Sequence, residues 1–336
     1  MNKLTKLGVS ALCGSLATVS AANAGDLAVT GGIDMTWISM DDEQTGNPIG
    51  IGSNVAFSGG GEMDNGWTVD LSVALKNRAA YSSTTVTVTV PALGDLQIGQ
   101  GGSGTGIDRM DDVTPNVWEE AYGTGLTNGI QTVNGASGGT GIEWTPNMLP
   151  DGVTARLFWT PEASGNANND GAGSGAGGTG SGYDATLVLG EAVTGMSGLT
   201  VGGGIARINQ EATAGKGDAS DATIYATYAI GGLTLGYQWS EADLGTTTGA
   251  EQYDNDGYGI TFAINDDLSI GYNHYESKQD NGTSASVTSE ASSFQIAYSM
   301  GGASIRLAEG DGDNMAYQTG AAYDRDNTVL SVALAF

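Results

Sequence analysis

The sequence predicts an all-β fold, a transmembrane barrel of sixteen antiparallel strands. Three observations point there. Apolar and polar residues alternate at period two in recurrent segments of about ten residues, and the connections between segments are sorted into short and long ones. No stretch beyond the N-terminal leader has the length and apolarity of a membrane helix.

The leader is expected at residues 1–24. Lys3 and Lys6 form a basic start, Leu7 to Val19 is mostly apolar, and Ala22-Asn23-Ala24 makes a small-x-small cleavage site before Gly25. The apolar part is shorter than the roughly 20 residues a membrane helix needs. Cys13, the only cysteine, falls within it, so the mature segment 25–336 would hold no disulfide.

Within that segment the expected strands are 26–40, 51–61, 66–76, 83–91, 94–101, 138–146, 152–160 and 183–191, then 197–208, 220–230, 232–241, 256–265, 267–277, 290–300, 302–309 and 326–336. From Trp67 to Leu75, Trp67, Val69, Leu71, Val73 and Leu75 share one face, while Asp70, Ser72 and Ala74 share the other. Thr85 to Val90 repeats the pattern, and Val153 to Trp159 nearly does. The last segment aligns Leu330, Val332, Leu334 and Phe336. Strands of about ten residues suit a tilted membrane crossing, whereas globular strands average about five or six.

The connections alternate. Short turns fall at Met63-Asp64-Asn65-Gly66, Leu93-Gly94-Asp95, Ile230-Gly231-Gly232, Asn265-Asp266-Asp267 and Met300-Gly301-Gly302. Long polar stretches lie between them at 102–137, 161–182, 209–219, 242–255, 278–289 and 310–325. A barrel with short turns on one side of a membrane and loops on the other has this order; a soluble sandwich has no reason to sort its loops. The 161–182 stretch, with its Gly/Ser/Ala run, is a surface loop without the nonapeptide spacing of calcium β-rolls.

Composition excludes several functions. The chain carries 38 Asp and Glu against 11 Lys and Arg, for a net charge of −27, which argues against a nucleic-acid partner. His274 is the only histidine, and there is no Ser-nucleophile motif, zinc spacing or phosphate loop, so no enzyme activity is expected. Its parity with Ile270 and Tyr272 places His274 on the outer face. No cofactor is implied and no metal site is assigned. Asp311, Asp313, Asp324 and Asp326 flank the last loop, where oxygen clusters can bind calcium, but solvated loop acids are the simpler account.

Four features resemble the general diffusion porins of Gram-negative outer membranes, in particular the alphaproteobacterial type. Gly25-Asp26-Leu27 opens the mature chain and leads into a strand at Val29 to Trp37. Segments such as Gly232 to Tyr237 and Ser269 to Tyr272 have the family's Gly–aromatic texture. The third external loop, from Gly102 to Ser137, is the longest, and the chain ends on an alternating strand with Phe336. The resemblance implies a sixteen-stranded barrel in the bacterial outer membrane, a homotrimer surrounded by outer-membrane lipid, with the third loop folded inward to narrow the pore.

Parity then assigns roles. Asp34, Asp70, Thr85, Thr87 and Gln238 face a wet lumen, where a carboxylate needs no buried partner. Trp37, Trp67, Trp159, Trp239, Tyr183 and Tyr258 fit aromatic girdles on the outer face. Asp108, Asp111, Asp112, Glu119 and Glu120 make the third loop acidic around Pro115 and Trp118. Lys76 and Arg78 at the upper end of strand three, with Arg156 and Arg306 near mid-strand, are the candidates for an opposing basic wall. An acidic loop facing a basic wall would set a transverse field across the narrowest point, the family's eyelet by resemblance. Two departures weigh on that wall: basic residues are few, and the loop lacks the Pro-Glu-Phe-Gly-Gly run of enterobacterial members. The expected function is a water-filled channel for passive diffusion of small hydrophilic solutes and ions, with a cation preference. A secreted, Gly-rich surface adhesin is the alternative, and the loop sorting and Phe336 count against it.

Overall fold

The computed structural model describes residues 27–335 except 42–45, 79, 102–103, 127–128, 137, 164–178 and 211–215. The expected leader and Phe336 lie outside the described residues.

Sixteen antiparallel strands follow one another around a closed barrel. The first eight are β1 (Ala28–Met40), β2 (Ile49–Glu62), β3 (Thr68–Lys76), β4 (Ala80–Val90), β5 (Gly94–Gly101), β6 (Gly138–Pro146), β7 (Val153–Thr160) and β8 (Thr179–Leu189). The second eight are β9 (Leu199–Gln210), β10 (Ala219–Ile230), β11 (Leu233–Asp243), β12 (Gln252–Ala263), β13 (Leu268–Asp280), β14 (Val287–Met300), β15 (Ala303–Asp313) and β16 (Arg325–Ala335). Each strand pairs with its sequence neighbours, and β16 returns to β1 with Ile33 opposite Leu334 and Trp37 opposite Leu330. Closure removes the unpaired edge that an open sheet would present, and it satisfies the backbone ladder where no water can.

Every expected strand is present, and β5 and β6 have the expected bounds. The difference lies at the long-loop end. There β9, β11, β13 and β15 run past their expected ends, and β12 and β14 begin before their expected starts. The added residues include Asp243, Asp254, Asp280 and Asp313. Apolar alternation stops where the hydrocarbon stops, but the hydrogen-bond ladder continues into water, where acidic side chains cost nothing.

The two faces of the wall separate cleanly. On β11, Leu235 and Tyr237 are exposed on the outside, while Gln238 and Ser240 are buried. The same alternation exposes Trp37, Trp159, Tyr183 and Tyr258 on the outer face. Trp239 shares the parity of Tyr237, and Trp67 is exposed just before β3. His274 stands opposite Tyr258 in the register, with its ring 5.0 Å from the tyrosine ring, on the outer face as expected. The short turns use local chemistry. In the β2–β3 turn, Gly66 takes φ 78°, and the Asn65 side chain accepts the Trp67 N–H at 3.1 Å.

Candidate functional site

The third loop, L3 (residues 102–137), leaves β5 and enters the barrel. Ile107, Met110, Ala121, Leu126, Val133 and Ala136 are each at most 2% exposed, which an external loop would not allow. A buried loop must satisfy its backbone groups on the wall, and here lumen-facing polar side chains do so.

At the base of L3, three carboxylates receive backbone amides. Glu143 on β6 accepts the Gly106 N–H at 2.7 Å. Asp184 on β8 accepts Ile107 N–H at 3.1 Å and Ala136 N–H at 3.0 Å. Asp221 on β10 accepts Asn134 N–H at 3.0 Å and Gly135 N–H at 2.5 Å. Farther round, two glutamines each accept from and donate to the backbone of the loop. Gln238 accepts Val113 N–H at 3.1 Å and donates to the Met110 carbonyl at 2.5 Å. Gln295 accepts Trp118 N–H at 3.1 Å and donates to the Glu119 carbonyl at 2.5 Å. Asn327 on β16 donates to the Thr124 carbonyl at 2.7 Å. Between these anchors the wall is cut away: a Cβ at Gly259 would run into the Pro115 backbone, and one at Gly236 into the Pro115 ring. Glycines facing the lumen on β11 and β12 therefore make the seat of the loop.

The structure brings the L3 carboxylates together. Asp111 and Asp112 share a side-chain hydrogen bond, as do Glu119 and Glu120, and Asp108 and Asp112 add their charges to the group. Asn116 donates to Glu120 at 3.0 Å. Burial first, then the neighbouring Asp112, pushes the Asp111 carboxyl up to about 8. Burial first, then the bond to Glu119 and the charge of Asp112, pushes Glu120 up to about 9. Two members of the cluster thus hold protons at neutral pH.

The four basic residues do not assemble into one wall. Arg156 on β7 lies 3.9 Å from Glu143, which Arg109 of L3 also engages at 2.5 Å. Arg306 on β15 pairs with Asp34 at 2.5 Å and stands 5.0 Å over the Trp118 ring. Lys76 closes β3 and Arg78 occupies the turn after it; among the described residues neither forms an ion pair. Lys76, Asp34 and Arg306 line one cavity of 910 Å³ against β1–β4, β15 and β16. Among the described residues no three His, Cys, Asp or Glu side chains come together in a way that could hold a metal.

A closed sixteen-strand barrel with its longest loop packed inside is now defined, and the family model of the Gram-negative porins matches residues 8–324. The chain belongs to the Gram-negative porin family. Its fold is shared with solved porins at low identity. OmpF of Salmonella typhi, solved with daunomycin, aligns at TM-score 0.66 and 12% identity over 93% of this chain and 98% of its own. OmpT of Vibrio cholerae in its trimer form aligns at 0.65 and 12% over 94% and 100%. An anion-selective porin from Comamonas acidovorans aligns at 0.66 and 11% over 94% and 100%. A comparison with curated proteins finds no match. The porin is accordingly an outer-membrane β-barrel and a channel, a fold and family that favour a channel over a secreted adhesin or an enzyme.

The anchors of L3 described above stand on β6, β8, β10, β11, β14 and β16. Across the closed barrel from β10–β13 lies the lumen face of β2–β5. That face carries Asn54, Ser58, Asp70, Ser72, Thr85, Thr87 and Gln97, with Lys76 its lone cation. Sequence reasoning missed Glu143, Asp184, Asp221 and Gln295 as loop anchors. Their inward parity in mid-strand was the available signal.

Proposed function

We propose that this porin is a water-filled, passive diffusion channel for small hydrophilic solutes and ions, that it prefers cations, and that it works as a homotrimer. One observation carries the cation preference. The L3 carboxylates outnumber the cations left to the passage: the face of β2–β5 offers Lys76 alone, offset there by Asp70, while Arg109, Arg156 and Arg306 are already engaged by Glu143 and Asp34. Acid in excess over base attracts cations into the narrowest water and repels anions. The solute gradient supplies the driving force. The trimer form of a neighbour with the same fold, OmpT of Vibrio cholerae, supports the trimer.

The experiment is a reversal-potential measurement on purified protein in a planar bilayer under a KCl gradient. A potential of the sign set by potassium supports the proposal, and one set by chloride overturns it. Gel mobility with and without boiling tests the trimer: a heat-sensitive, slower-running species is expected, and unchanged mobility contradicts it.

A further inference from the structure

We propose that the eighth loop, L8 (residues 314–324), is a clamp that positions L3 and thereby sets the width of the passage. The inference rests on the role given above to L3 as the constriction, and it assigns L8 a part in holding it. L8 does not stand out into solvent. Met315 is fully buried and Tyr317 is 6% exposed. Met315 packs against Leu126 and Ile130 of L3 and Tyr275 of β13. The Tyr317 hydroxyl lies 2.7 Å from Ser277 Oγ and accepts the Gln131 N–H of L3 at 2.9 Å. Its ring packs on Tyr253 with centroids 5.1 Å apart.

The backbone of this segment is strained. Asn314, Ala316 and Tyr317 adopt φ of 50°, 57° and 55°, the left-handed region that side chains other than glycine's disfavour. Such a conformation persists only where surrounding contacts over-determine it. Here those contacts are the two buried side chains and Asn314, which donates to the Thr288 carbonyl at 3.0 Å while its N–H reaches Asp324 at 3.1 Å. On the return limb, L8 therefore holds Leu126, Ile130 and Gln131, which lie between the wall's bond to Thr124 and its bonds to Asn134, Gly135 and Ala136, whereas the outgoing limb is held by Gln238 and Gln295 of the wall. Releasing L8 loosens the middle of the return limb and leaves its two ends and the outgoing limb seated.

The test compares single-channel recordings of Met315→Ala, Tyr317→Phe and Ala316→Gly with the native porin. Tyr317→Phe keeps the ring and loses only the hydroxyl contacts, so the barrel folds. Met315→Ala and Tyr317→Phe are expected to raise open-channel current noise about two-fold and to increase conductance, as a loop held by fewer contacts samples more positions. Ala316→Gly, which removes strain and no contact, is expected to match the native trace. Native conductance and noise in both Met315→Ala and Tyr317→Phe would overturn the proposal. Reversal potential is recorded alongside: chloride-set potentials in every protein would defeat the cation preference and leave the clamp standing, so the two failures are distinguishable.

Discussion

The Asp184 carboxylate accepts the N–H of Ile107 at 3.1 Å through one oxygen and that of Ala136 at 3.0 Å through the other, so a single strand residue fastens both ends of L3. No basic side chain takes part in these two bonds. The loop is held into the lumen by wall carboxylates and amides meeting its backbone, and the charged loop face is left to the passage.

Asp184→Asn tests that fastening. An amide offers one acceptor oxygen, so either Ile107 or Ala136 loses its partner in a fully buried setting. An orphaned buried amide costs about 1–3 kcal/mol, enough to loosen the base of the loop without opening the barrel. Faster limited proteolysis within L3 and a retained heat-sensitive barrel are the expected outcome. Native proteolysis rates would show that the two bonds do not hold the loop.

Gly259→Ala tests the seat. The new Cβ meets the backbone of Pro115, which cannot swing aside as a flexible side chain would, so L3 must move toward β2–β5. Single-channel conductance should fall. Gly59→Ala is the control, because a Cβ there meets nothing within 4 Å, and its conductance should match that of the native porin.

Arg306→Ala removes a cation that neutralises Asp34 and covers Trp118. Loss of one lumen positive charge should raise the potassium-to-chloride permeability ratio about two-fold. Loss of the stacking should cost about 0.5–2 kcal/mol of local stability. An unchanged permeability ratio would mean that the passage does not run beside Arg306.

The carboxyls held near 8 at Asp111 and near 9 at Glu120 give a pH dependence of definite sign. Both lie above the ordinary carboxylate value of about 4, so folding favours their protonated forms. Their contribution to L3 stability is complete below about pH 4 and is lost as pH rises through 8 and 9. Between pH 6 and pH 10 the loop gains charge, so cation preference should strengthen while L3 becomes easier to cleave. Asp111→Asn with Glu120→Gln should flatten both responses.

Much of this was legible in the sequence, for identifiable reasons. Alternation from Trp67 to Leu75 and from Thr328 onward is imposed by lipid on one face and water on the other, so strand and face could be read residue by residue. Asp254 and Asp313 read as loop residues in the sequence because they lack that alternation, although the ladder runs on beneath them. The acids of L3 were visible as a run in one segment. The partners of Arg156 and Arg306 were not, because parity gives the face but not the neighbour. Asp34 reaches Arg306 only through the closure of β1 on β16, 272 positions apart in the chain. Glycines of β11 and β12 registered as texture, and their use as the seat of Pro115 appears only once L3 is inside.

The most direct measurement is the reversal potential of the native porin beside an Asp112→Asn, Glu119→Gln variant, in the same KCl gradient and with conductance steps recorded for both. If L3 acids in excess over the cations of the wall set the selectivity, the variant still conducts in steps and its potential moves toward zero. An unchanged, potassium-set potential in the variant would contradict that account and move the selectivity away from L3.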